Sequence, residues 1–148
     1  MRSVLCSVAA AFAIGFGTAA MAANEVVSTP DAPEAIGPYS QAIKSGNMLF
    51  LSGQIPIDPK TKKLMNEASI EDQTKLVFEN LKAVLAANGM TLANVVSTQV
   101  FMKDLNDFAK MNAVYATYFT SAPPARATVE VARLPRDVKI EIGMIAVK

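Results

Sequence analysis

Two segments with helical periodicity are interleaved with short runs of alternating polarity, and this limits the fold more than any other feature of the sequence. The first helical segment opens on Ser69, with Asp72 three residues on, and places Ile70, Val77, Phe78, Leu81, Val84 and Leu85 on one stripe. Asn88-Gly89 closes it with a residue pair suited to a left-handed cap. The second runs from about Asp107 to Phe119, with Phe108, Met111, Val114, Tyr115 and Tyr118 on one broad face. Between them, Val95 to Met102 alternates as a strand does. Upstream, Ser40–Ser45 and Met48–Ser52 flank Gly46-Asn47, a two-residue hairpin turn, and Ile55–Ile57 adds a short third strand before Asp58-Pro59. Downstream, strands are expected near Thr128–Arg133 and Val138–Val147. Residues 24–38, punctuated by Pro30, Pro33 and Pro38, read as an irregular arm. The order β-β-(β)-α-β-α-β-β predicts an α+β fold: a single mixed sheet with two helices packed on one face.

The last strand adds a constraint on assembly. Val138, Ile140, Ile142 and Met144 share one face, while the other carries Lys139, Glu141, Gly143, Ile145 and Val147. That second face is too apolar at its far end for free exposure. A subunit interface is the simplest expectation.

The chain opens with Arg2, an apolar run from Val4 to Phe16 and the small-x-small pattern Ala20-Met21-Ala22. This predicts a signal peptide over residues 1–22, with a mature domain over 23–148 that is exported to the periplasm or secreted. Gly15 and Gly17 interrupt a run already short for a membrane anchor. The single cysteine, Cys6, lies inside that segment, and the chain has no histidine. A thiolate nucleophile, a disulfide framework and imidazole chemistry are thereby excluded from the mature chain. Neither Glu130 nor Asp58 has a ligand-spaced partner, so no metal is expected, and the only closely spaced glycines, Gly15 and Gly17, fall in the signal segment, so no phosphate-cradled cofactor is expected either. Thirteen acids and all the bases except Arg2 follow residue 22. With no net charge after residue 22, no Trp and no basic stripe, nucleic acid is a poorly supported partner, and none is expected.

Two separated segments hold most of the residues that carry chemistry. One is Ile36-Gly37-Pro38-Tyr39-Ser40-Gln41-Ala42, followed by Leu51-Ser52-Gly53-Gln54-Ile55-Pro56; the other is Pro124-Ala125-Arg126-Ala127-Thr128-Val129-Glu130-Val131-Ala132-Arg133-Leu134-Pro135, leading into Lys139-Ile140-Glu141-Ile142. Arg126 enters a strand just after two prolines, where a rigid guanidinium suits bidentate capture of a carboxylate; pairing with a nearby surface acid is the alternative. Glu141, between two isoleucines, is expected to have a raised pKa suited to proton relay, or else to pair with Lys139 of a neighbouring copy or with Arg133. Tyr39 and Ser52 bracket the first hairpin and can serve either packing and backbone or a cleft. Gly53 lets backbone approach a ligand.

These blocks resemble the RidA/YjgF family of reactive-intermediate (enamine/imine) deaminases, and the resemblance extends over nearly all of the mature chain. It implies a chorismate-mutase-like homotrimer with a barrel-like core and clefts between neighbouring subunits. It further implies hydrolysis of 2-imino or 2-enamino acids to 2-keto acids and ammonium, with no cofactor. Arg126 matches the residue that binds the substrate carboxylate, Glu141 the family's acid, and Tyr39, Ser52, Gly53 and Asn112 match positions lining the cleft. Asn112 lies mid-helix and can equally face solvent. Thr128, counted with the substrate-binding residues, stands where many members have Cys, and Gly143 where many have a second Glu. The connection from Tyr118-Phe119 to Arg126 is a few residues shorter than in close relatives, beside the cleft that sets which substrate fits. A non-catalytic small-molecule-binding or chaperone-like trimer is the alternative. Endoribonuclease or translation inhibition, attached to parts of the family, is a third and weaker reading.

Overall fold

The computed structural model describes residues 23–148, so the expected signal peptide and Cys6 lie outside the described residues. Eight elements follow in order: β1 (Glu25–Val27), β2 (Ala42–Ser45), β3 (Met48–Gln54), α1 (Ile70–Ala87), β4 (Val95–Met102), α2 (Phe108–Tyr118), β5 (Ala125–Glu130) and β6 (Ile140–Val147). They build one six-stranded sheet in the order β1-β2-β3-β6-β4-β5. Only β4 and β5 pair in parallel; the other neighbours are antiparallel. Because β6 is antiparallel to both β3 and β4, those two run parallel with β6 between them. Two crossovers, β3-α1-β4 and β4-α2-β5, advance across the sheet in the same sense, and crossovers of one hand then put both helices on one face. The expected α+β sheet with two helices on one side is the fold observed.

The core lies between that face and the helices. Leu49, Val100, Met102, Ile140, Ile142 and Met144 from the sheet meet Val77, Phe78, Leu81, Val84, Leu85 and Met111 from the helices, all essentially inaccessible. Phe78 of α1 stacks on Tyr118 of α2 at 4.3 Å between ring centroids and meets Tyr115 edge-on at 5.4 Å. Ser69 caps α1 by accepting from the Asp72 N–H, and Gly89 follows the helix at φ 63°, as the sequence predicts. A smaller cluster of Ile55, Ile57, Leu134 and Val138, with Phe101 packed on it, fills one end of the sheet.

β2 and β6 each begin two residues later than expected, at Ala42 and Ile140, and β3 runs two residues further, to Gln54. Three larger differences have a local reason. Ile55–Ile57 forms no strand: Pro56 has no N–H for a ladder, and Ile57 donates instead to the Ile55 carbonyl at 2.8 Å. Only an isolated bridge from Ile57 to Leu64 remains. The strand expected at Thr128–Arg133 begins three residues earlier, because pairing with β4 starts at the first residue after Pro124. It also ends earlier, since Arg133 is engaged with Asp137 in the turn that follows. Finally, the arm contains β1, whose Val26 is 67% exposed. Backbone pairing with β2 and the Lys44–Glu25 ion pair hold it rather than burial, so no periodicity marked it.

Candidate active site

The loop before β2, the end of β3 and the start of β6 converge on a cleft of about 330 Å³ lined by Ile36, Tyr39, Ser52, Gly53, Ile55, Pro135 and Glu141. Four of the residues singled out from the sequence therefore meet at one place. Ile140 and Ile142 are buried under the helices, so strand alternation turns the intervening Glu141 to the opposite face. There its carboxylate lies over Gly53. A Cβ at residue 53 would stand 2.8 Å from the carboxyl carbon of Glu141, so any side chain there would push the carboxylate out of this position. Burial among Ile36, Ile55 and Pro135 pushes the Glu141 carboxyl above its ordinary value of 4.5. Neither expected ion-pair partner is engaged with it within the chain. Arg133 donates to Asp137 at 2.8 and 3.0 Å, and the Lys139 ammonium donates to the Ala68 carbonyl at 2.7 Å.

The two hydroxyls are each half-used. Ser52 Oγ donates to the Ser40 carbonyl at 2.6 Å, which leaves it able to accept. The Tyr39 hydroxyl accepts from the Ile36 N–H at 3.2 Å and keeps its own proton to donate. The loop that carries Tyr39 is tied down by Gln41, a buried residue not foreseen as part of the site. Its amide donates to the carbonyls of Thr29, Ala32 and Pro33 and accepts from the Thr29 N–H. Buried and with every polar atom committed, it fixes the arm against β2. Its place within the motif Tyr39-Ser40-Gln41 was the only signal available.

Arg126 and Thr128 lie elsewhere. They pair with Thr98 and Val100 of β4, both buried beneath the helices, so their side chains share the helix face. The Arg126 guanidinium stacks on the ring of Tyr115 at 4.3 Å and approaches that of Phe108 at 5.8 Å. The Tyr115 hydroxyl is in turn within 2.9 Å of Thr98 Oγ1, and its pKa is raised by burial. Asn112 sits one turn from both aromatic rings on α2, on the stripe that faces Arg126. The buried Thr128 Oγ1 has no hydrogen-bond partner, and Arg126 no ion-pair partner, among the described residues. Tyr115 and Phe108 thus act as a platform for the guanidinium, although their spacing marked them only as helix core. The site falls into two halves on opposite faces of the sheet: a carboxylate half (Tyr39, Ser52, Gly53, Glu141) and a guanidinium half (Arg126, Thr128, Asn112). No group of three or more Asp, Glu, Cys or His side chains converges as metal ligands among the described residues.

A mixed sheet with two helices on one face, carrying an apolar acidic cleft and a separate aromatic-backed guanidinium, defines the class. The sequence profile described as Endoribonuclease L-PSP matches residues 29–148, and the chain belongs to that family, which is the RidA/YjgF family. A RutC family protein of Pyrococcus horikoshii is 59% identical over 125 residues, which cover 84% of this chain and 98% of the relative. A 2-iminobutanoate/2-iminopropanoate deaminase of Escherichia coli is 48% identical over 128 residues, with coverage of 84% and 98%. The crystal structure of E. coli TdcF with bound serine has a TM-score of 0.80 at 45% identity and covers 84% of this chain and 98% of that one.

Proposed function

We propose that this protein is a hydrolytic deaminase of 2-imino and 2-enamino acids, working without a cofactor. The observation that carries the reading is Glu141, held over Gly53 in an apolar cleft with its pKa raised toward the range where a carboxyl both takes and gives a proton. In the reaction, water adds to the C=N carbon while Glu141 takes its proton. Glu141 returns that proton to nitrogen to give the carbinolamine; nitrogen then takes a second proton as the carbinolamine hydroxyl gives up its own, the C–N bond breaks, and 2-keto acid and ammonia remain. Tyr39 donates and Ser52 accepts along that path. Arg126 takes the substrate carboxylate, with Thr128 and Asn112 beside it. Such substrates are already reactive, so positioning and one proton relay suffice. Family members include named deaminases and a structure with bound serine, itself a small carboxylate; both fit this chemistry.

One copy of the chain holds the two halves on opposite faces, so the complete site is proposed to form between copies in a homotrimer. The face opposite the helices supports assembly. Phe50 and Ile145 stand in one row of the register and Phe101 and Val129 in another, with Phe50 41% and Val129 45% exposed. Export after cleavage behind Ala22 remains part of the proposal, motivated by Ala20-Met21-Ala22. The family description also names endoribonuclease activity. A region after residue 22 with no net charge offers RNA little counterion release.

The test is to generate 2-iminopropanoate in situ with an amino-acid oxidase and follow pyruvate release. Wild-type protein is expected to accelerate release over the uncatalysed rate. Arg126→Lys keeps the charge but loses the two-pronged donor, which corresponds to roughly 10- to 150-fold lower catalytic efficiency. Unchanged release with and without protein would overturn the deaminase reading in favour of a binding role.

A further inference from the structure

The guanidinium half rests on a polar contact set in an apolar layer. Of the buried residues of β4, which are Val95, Thr98, Val100 and Met102, only Thr98 is polar. Tyr115 of α2 is buried as well, with Phe78 edge-on at 5.4 Å and Phe119 tilted at 5.0 Å between ring centroids. Valine and phenylalanine would fill the same two spaces, and a hydroxyl pair adds little stability over such an apolar pair. Yet both hydroxyls are present, with their oxygens 2.9 Å apart.

Their contact fixes what packing alone leaves loose. Aromatic rings packed on one another accept a range of tilts and offsets at similar energy. A hydrogen bond to a fully buried, β-branched side chain removes that freedom. Thr98 also stands directly opposite Arg126 in the β4–β5 register, and neighbouring strands lie about 4.8 Å apart. The Tyr115 ring is thus anchored on one of these residues and lies 4.3 Å from the guanidinium carbon of the other. Stacking engages the face of the guanidinium and leaves the N–H groups at its rim free to donate. Arg126 has no ion-pair partner among the described residues. The Tyr115 phenol, pushed up from its ordinary value by burial, stays neutral and supplies no counter-charge. Phe108, at 5.8 Å and 38% exposed, is a looser neighbour.

We infer that the buried Thr98–Tyr115 pair is a positioning element of the site: Thr98 holds the Tyr115 ring, and the ring holds the plane of Arg126 so that its N–H edge meets a carboxylate. Both residues are buried, so they act through Arg126 rather than on substrate. The inference rests on the reading of Arg126 as the carboxylate-binding residue of the proposed deaminase.

Calorimetric titration of the full protein with 2-oxobutanoate, beside thermal unfolding, tests it. Thr98→Val and Tyr115→Phe each leave one buried hydroxyl without its partner. Each should lower the thermal midpoint and weaken 2-oxobutanoate about 3- to 10-fold. Combining the two removes both hydroxyls, so the midpoint should recover while binding stays weak. Binding that recovers together with the midpoint, or that never changes, overturns the positioning role. Tyr115→Leu removes the ring and should weaken 2-oxobutanoate about 5- to 30-fold when Arg126 is present. In an Arg126→Lys background, where no planar group remains to orient, the further loss should be less than about twofold. An equal loss in both backgrounds means that the ring acts other than through Arg126, and it overturns the role as well. Turnover of 2-iminopropanoate made in situ separates the two readings. If the imine turns over with the same KM in every variant, the positioning role alone fails. If no imine turns over while the pair still governs 2-oxobutanoate binding, the deaminase reading fails and the positioning role stands. Should wild type turn over the imine without measurable 2-oxobutanoate binding, KM for the imine takes the place of affinity under the same expectations. Absence of both turnover and binding overturns both readings.

Discussion

Glu141 carries the chemistry at the residue scale, and its raised pKa gives it a signature in stability as well as in rate. In the unfolded chain its carboxyl titrates near 4.5, whereas burial raises the value in the folded protein. The folded state therefore holds this proton more tightly. Its contribution is fully present below the unfolded pKa and is lost as pH rises through the folded one. Urea unfolding of wild type and Glu141→Gln, followed from about pH 4 to pH 7 at fixed concentration, should show wild type losing stability relative to the variant as pH rises. A difference that stays flat across that range argues against burial of the carboxyl. The same variant keeps shape and hydrogen bonding but removes the relay, so turnover should fall on the order of 100- to 10,000-fold. Gly53→Ala should behave differently. Its Cβ pushes the Glu141 side chain aside, so turnover should fall with only a small change in stability. Thermal unfolding beside the pyruvate assay reads both effects.

At the scale of elements, α1 illustrates how local signals and burial act together. Ser69 Oγ accepts from the Asp72 N–H at 3.1 Å and satisfies one of the donors left open at a helix start. Ser69→Ala should cost about 1 kcal/mol without touching the cleft, a lowered thermal midpoint with unchanged catalytic efficiency. Loss of activity at constant stability would contradict the placement of α1 as scaffold. The strands show the limit of such signals. β4 was read over the residues it occupies because its two faces differ in burial and so in composition. β5 lies at the sheet edge with most of its residues exposed, and no alternation marks its start. Its first residue is decided by Pro124 and by the available partner on β4.

For the whole molecule the central question is whether the two half-sites join between copies. If the proposed cleavage behind Ala22 occurs, the intact mass of the protein should lack residues 1–22, and light scattering is expected to give three times that mass; a monomer that deaminates would contradict assembly. Mixing Glu141→Gln with Arg126→Ala subunits, each nearly inactive alone, should restore activity by joining the intact halves. With random exchange in a trimer, roughly a quarter of the sites receive both intact halves. Absence of recovery after demonstrated subunit exchange would place the site within one chain.

The sequence alone determined the helices, the hairpin turn and the two-faced last strand, because each is written in short-range periodicity and capping chemistry. It also singled out Tyr39, Ser52, Gly53 and Glu141, through motifs whose members lie far apart in the chain. What it did not contain was their relative placement. That β6 lies between β3 and β4 is a matter of long-range pairing, and it is this insertion that brings Glu141 over Gly53. The register of β5 on β4 likewise decides that Arg126 faces Tyr115 rather than Glu141. Alternation along a strand says which residues share a face, but only the packed helices decide which face becomes the core.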